Sequence, residues 1–286
     1  MAAILEAIRR LFPPLMVKRR LLIFVVLIAV YGGFVYAVVE IEHLPHIDWG
    51  AESTIMNGLV LGFLLSFRNN HAYDRWWEAR KLWGQLVNDS RNLALKVRAL
   101  TEIEESDRQA IASLLIKFAS ELERHLRSEK APANSAPERG ASPKRMHEPV
   151  KIVAEIYQTL FKWRQAGSLD GWSLLWLDGH VKSLMDICGA CERIRYTPLS
   201  SSYRALLRHG IALYVVISPF YLIEDTGPAS YPVFIMAVYF LLGIEMVAED
   251  IEEPFQAGGD NLPLERYAAT IESSVREILG GDGPIV

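Results

Sequence analysis

Four apolar runs stand out from a chain that is otherwise amphipathic and rich in charge. The first, "LLIFVVLIAVYGGFVYAVV" (residues 21–39), carries nineteen residues without a charge. At about 1.5 Å per residue that length crosses a hydrocarbon core of about 30 Å. Three further runs follow at Ile55–Phe67, Ile211–Ile223 and Tyr231–Val247. Two of these are short, which suits spans shielded by neighbouring helices or lining water. Between the runs the apolar positions follow helical spacing. Ile111, Leu115, Phe118 and Leu122 form one stripe, Val150, Val153, Tyr157 and Leu160 another, and Leu264, Ala268, Ile271, Val275 and Ile278 a third. No alternating strand pattern of useful length occurs, so the pattern predicts an all-α membrane protein with four transmembrane helices and a helical soluble region.

The stretch "LVLGFLLSFRNNHAYDRWWEARKLWG" (59–84) begins as membrane sequence and runs into charge with no Gly or Pro between Phe63 and Trp83. It predicts one unbroken helix. Leu59, Phe63 and Phe67 lie on one side of it at i, i+4, i+8, with Gly58 and Gly62 beside them, Asn57 above, and Asn70 and His71 below. An apolar band with polar ends is what a hydrophobic constriction in a water pore requires. A helix buried in its own bundle shows the same spacing.

Charge sets the topology. Lys18, Arg19 and Arg20 precede the first run, Arg68 and Arg75 follow the second, and Arg204 and Arg208 precede the third, while residues 40–67 and 224–230 hold no Lys or Arg. The positive-inside rule then places both termini and the middle region in the cytoplasm. The chain divides into an N-terminal segment with two spans (1–67), a cytosolic helical region (68–208), a second pair of spans (209–248) and a cytosolic tail (249–286). The segment "KAPANSAPERGASPKR" (130–145) reads as a flexible loop. A net charge of −4 gives no basic surface for nucleic acid.

Candidate chemistry is sparse. Cys188 and Cys191 have C-x-x-C spacing, but they continue the stripe Leu174, Leu177, Val181 and Leu184, where Cys packs as a small hydrophobe. No second Cys pair completes a zinc set. His43 and His46 stand near Glu40, Glu42 and Asp48, but Pro45 interrupts shared helical geometry. No nucleotide-binding or hydrolase signature appears, so an enzyme is not expected. Trp76, Trp77 and Trp83 lie among Arg75, Arg80 and Lys81 below the second span. They read as interfacial anchors or as a packed girdle, and Trp76 and Arg80, at i, i+4, are spaced to stack.

"SFRNNHAYDRWWEARKLWG", "GACERIRYTPLSSSY" (189–203) and "EDIEEPFQAGGDNLPLE" (249–265) together resemble the bestrophin family in its prokaryotic branch. The resemblance covers nearly the whole chain. It implies a homopentameric passive ion channel, multi-pass in the bacterial inner membrane, whose partners are its own copies, lipids and permeant monovalent ions. It implies a pore neck of three apolar rings at Leu59, Phe63 and Phe67. It also implies a lower constriction near Leu169–Leu174, for which Leu169 and Trp172 are the candidates. Animal members bind calcium through acids after the last span. Here Glu249, Asp250, Glu252 and Glu253 stand in that place, interrupted by Ile251, so neither calcium nor another cofactor is expected, and a solvated or Arg-paired face is the alternative. Asp48 and Glu52, with Glu40 and Glu42, put only acids near the outer mouth, which favours cations. An anion (chloride) channel and a non-conducting membrane scaffold are the alternatives.

Overall fold

The computed structural model describes residues 18–42, 50–100, 102–127, 147–226, 230–258 and 260–280. His43, His46, Asp48 and the expected loop at 130–145 lie outside the described residues, and so does the side chain of Glu52. Among the described residues the secondary structure is helical: α1 Lys18–Glu42, α2 Gly50–Leu100, α3 Glu105–Arg127, α4 Glu148–Ala166, α5 Gly171–Tyr196, α6 Ser201–Thr226, α7 Ser230–Glu252 and α8 Leu264–Leu279. α2 is unbroken over 51 residues, as the lack of breakers after Phe63 requires. The chain forms two compact units, and α2 contributes to both, the first unit ending at Trp76 and the second beginning at Trp77.

The first unit holds the start of α2 with α1, α6 and α7. α7 packs on α6 and α1, and α1 on α6. Their shared core is Leu61 and Leu65 of α2, Ile211 and Val215 of α6, and Phe234 and Val238 of α7. Glycine sets one of these approaches: a Cβ on Gly32 would stand 2.9 Å from the Phe234 ring, so α1 and α7 meet closely only because the side chain is absent. Among the described residues, two helices, over Arg19–Val39 and Tyr231–Glu252, are long and apolar enough to cross a membrane. The other two expected spans occupy parts of α2 and α6, where charges soon follow the apolar run.

The second unit is built from the rest of α2 with α3, α4, α5 and α8. α3 packs on α4 and α8, and α4 packs on α5. α3 buries Ile111, Leu115, Phe118 and Leu122, the expected stripe. α4 is turned slightly from expectation. It buries Ile152, Val153, Ile156, Leu160 and Trp163, leaving Val150 and Tyr157 half-buried, because the Ile152–Ile156–Leu160–Trp163 row offers more apolar area to its neighbours. α4 ends at Gly167, whose φ of 83° is open to glycine and strained for other residues. Asp170 then caps α5, its carboxylate accepting from the Trp172 and Ser173 amides at 2.7 and 3.1 Å. The Ser173 hydroxyl also donates to this carboxylate at 2.5 Å, and that bond, followed by the two amides, holds the Asp170 carboxyl below the usual range.

Leu122 and Ile156 are wholly enclosed in this second core. Leu122→Ala or Ile156→Ala is expected to cost about 2–5 kcal/mol through lost transfer energy and an unfilled cavity. A lowered thermal midpoint of the detergent-solubilised protein is the readout; an unchanged midpoint contradicts the assignment.

Candidate functional site

Helix α2 presents two opposed faces in the first unit. Leu61 and Leu65 are 7% and 2% exposed, packed into the core, and Arg68 is buried on the same side. Leu59, Phe63 and Phe67 are 64%, 65% and 46% exposed. On a helix turning about 100° per residue the two sets are centred about 170° apart. The three apolar side chains therefore point away from the unit's own bundle. Phe63 and Phe67 touch edge to face, their ring centroids 4.6 Å apart. Nothing stands within 4 Å of a Cβ built on Gly58 or Gly62, so the surface beside the stripe is open. The reading of this helix as wholly buried in its own bundle does not hold for that face.

What fixes the rotation of α2 is a buried charge. The Arg68 guanidinium lies 2.7 Å from Glu245 and 3.2 Å from Glu252, with side chains 1%, 7% and 3% exposed. Its N–H groups are not aimed squarely at the oxygens, so these are ion pairs rather than a bidentate fork. Glu245 and Glu252 are seven residues apart on α7 and share its inward face with Ala248 between them. Arg208 of α6 joins from the side, 3.6 Å from Glu245 and 2.7 Å from Glu249. The other Glu252 oxygen accepts the Leu199 amide. Asp250 accepts the Asp260 amide at 2.7 Å.

The four acids Glu249, Asp250, Glu252 and Glu253 thus do not converge on one point. Three of them have separate partners, and the Arg-paired alternative describes Glu249 and Glu252. The sequence reading missed Glu245. It is the one acid inside the fourth apolar run, and an ionisable residue within a membrane segment signals a buried partner.

The remaining candidates are distributed as follows. Leu169 is 2% exposed inside the second unit, so its side chain offers no surface to a constriction, whereas Trp172 is 78% exposed on the first turn of α5. Sequence could not separate them, because Gly167 and Gly171 left the register open. Cys188 and Cys191 are free and buried. Burial pushes the Cys188 thiol up to about 12 and raises Cys191 as well, so both stay protonated at neutral pH. Of the tryptophans, Trp83 is fully buried with its ring 6.0 Å from Tyr267, a packed position. Trp76 donates to the Asp260 carbonyl, and Arg80 stands 5.3 Å over the Tyr267 ring.

A second constellation, absent from the sequence reading, joins His125, His147 and Glu192 in the second unit. The residues are far apart in the chain and form no local motif. Burial, followed by the adjacent His147, holds His125 below the usual histidine range.

Among the described residues the fold is helical, with helices suited to a membrane and an outward apolar stripe. Comparison with known proteins makes this specific. The family described as "Bacterial/Fungal Bestrophin protein" matches residues 7–277, and the chain belongs to that family. A voltage-dependent anion channel-forming protein of Ralstonia nicotianae is 34% identical over 236 residues, 78% of this chain and 75% of that one. One of Mesorhizobium japonicum is 32% identical over 270 residues, 89% of this chain and 85% of its own. Among solved structures, a bacterial bestrophin homolog from Klebsiella pneumoniae aligns with a TM-score of 0.77 at 25% identity, covering 93% of this chain and all of that one. The relatives' names speak of anions, where the outer acids pointed to cations.

Removing Arg68 is expected to do more harm than removing either partner. Arg68→Met strands two buried carboxylates, a loss of about 3–5 kcal/mol. Glu245→Gln leaves Arg68 with Glu252 and is expected to cost less. Thermal midpoints and the yield of correctly sized protein check the order; equal tolerance of both changes contradicts it.

Proposed function

We propose that the chain is a passive ion channel of the bacterial membrane, formed by five copies around one pore, with a neck of three apolar rings at Leu59, Phe63 and Phe67. The observation that carries this is the exposure of that stripe opposite the face of α2 held by Leu61, Leu65 and Arg68. In a single copy these three large side chains lack cover from their own unit. A ring of copies turns them towards a shared axis, and family membership supplies the reason to read that axis as a pore. The four spans are parts of α1, α2, α6 and α7, both termini are cytoplasmic, and Trp172 is the candidate for the lower constriction. α1, α6 and α7 also carry exposed apolar residues such as Leu27, Val30, Leu213 and Phe240, which suit lipid or a neighbouring copy.

The rings are about 6 Å apart along the axis. A narrow apolar ring cannot replace an ion's lost hydration, and it can shed its water altogether. Phe63→Ala and Phe67→Ala are therefore expected to raise conductance or open probability several-fold in planar bilayers, and Leu59→Ala to do so less. Leu61 is unsuitable as a control because it is buried against Gly210. Leu27→Ala on α1, equally apolar and exposed, serves instead and is expected to change little. Correctly assembled Phe63→Ala and Phe67→Ala channels that conduct like the parent would refute the neck.

For the permeant ion, the relatives' names favour anions, and that is the reading taken. The second reading, cations, rests on the acids of residues 40–54, Asp48 and Glu52 among them. The neck has no charged ring, so selectivity must come from its ends. Reversal potentials in asymmetric salt decide: a shift towards the chloride equilibrium potential supports the first reading. A shift towards the cation potential, abolished by Asp48→Asn with Glu52→Gln, supports the second.

A further inference from the structure

The His125, His147 and Glu192 cluster poses a bonding problem. His125 Nε2 lies 2.9 Å from Glu192 Oε1, His147 Nε2 lies 3.0 Å from the same oxygen, and the two Nε2 atoms are 2.8 Å apart. Each Nε2 carries at most one proton and the ionised carboxylate carries none. Two protons at most serve three close contacts, so one contact is always left unbonded. If both protons point at Glu192, the two Nε2 atoms stand 2.8 Å apart as donors with no proton between them. A cation bonded to all three atoms removes the conflict, because each atom then turns a lone pair inward.

We propose that His125, His147 and Glu192 form a binding site for a divalent transition-metal ion, zinc by its ligand chemistry. Two imidazole nitrogens and one carboxylate oxygen make a zinc set that leaves a position for water. A tetrahedral zinc with bonds of about 2.0–2.1 Å holds neighbouring ligand atoms about 3.3 Å apart. The observed triangle is a few tenths of an ångström tighter, a gap closed by small side-chain movements. The rings meet edge to face at 78°, with centroids 3.8 Å apart, so they touch, and both must swing apart by about an ångström in total for their Nε2 lone pairs to converge on one ion. All three residues are partly buried, with side-chain exposures of 20%, 29% and 32%, so an ion can enter from solvent.

The ligands come from three places in the second unit. His125 is in the last turn of α3, His147 immediately precedes α4, and Glu192 is near the end of α5. A bound ion would tie these helices together. Two features limit affinity. Arg195, mostly buried, donates to the His125 carbonyl and brings positive charge near, and His147 Nδ1 is buried without an acceptor to orient the ring. Binding in the micromolar range is therefore expected. The site stands apart from the pore reading and does not need it.

The test uses the full-length protein in detergent, stripped with a chelator, then titrated with Zn2+ by calorimetry and with Co2+ by visible absorption. One ion per chain is expected, with Co2+ bands of a low-symmetry site and a Zn2+-dependent rise in thermal midpoint. His147→Gln and Glu192→Gln should each weaken binding at least tenfold and abolish the rise, while His43→Gln with His46→Gln should leave it intact. His147→Cys keeps a ligand, so it should retain the ion and add a thiolate-to-cobalt charge-transfer band, which also settles the matter if His147→Gln fails to fold. Absence of stoichiometric binding, binding unchanged in both Gln variants, loss in the His43/His46 control, or a His147→Cys protein without the new band would each overturn the proposal.

Discussion

A guanidinium buried between two carboxylates governs the first unit. Arg68 on α2 faces Glu245 and Glu252 on α7 at 2.7 and 3.2 Å, sealed from solvent. Desolvating these charges is costly, and their mutual attraction offsets that cost only while all remain in place. Such a contact contributes less to net stability than to uniqueness, because every alternative rotation of α2 leaves a charge without a partner. Once Arg68 points inward, helical geometry leaves Leu59, Phe63 and Phe67 no direction but outward. The apolar stripe is exposed because a charge on the other side of the same helix is not.

The unbroken α2 extends this constraint. Its 51 residues carry the stripe and Arg68 in the first unit, then Trp83, Leu86, Leu93 and Val97 in the core of the second. No glycine or proline interrupts it between Phe63 and Trp83.

The second unit has a helical core of ordinary apolar packing. Its stripes are large aliphatic and aromatic residues, its C-x-x-C thiols pack as small apolar groups, and Asp170 and Gly167 define the turn between α4 and α5. Against that background the His125, His147 and Glu192 triangle is unusual, since three polar atoms are held together with too few protons to satisfy them.

Much of the architecture was legible in the sequence, because it depends on local periodicity. The helices, the break-free α2 and the stripe of α3 follow from spacing at 3.6 residues per turn and from where Gly and Pro are absent, while spacing grouped Leu59, Phe63 and Phe67 on one face of α2 without saying that this face turns outward. The family was legible too, since its three motifs are contiguous. What the sequence left open depends on pairs distant along the chain. It could not tell that Leu169 is enclosed while Trp172 is exposed, because no periodic register crosses Gly167 and Gly171. It offered the acids after α7 as a group, whereas the structure shares them among Arg68, Arg208 and backbone amides. It gave no sign that His125, His147 and Glu192 meet. Periodicity reports which face of a helix is apolar, but only packing decides which charged or ligating groups from separate helices share a point in space.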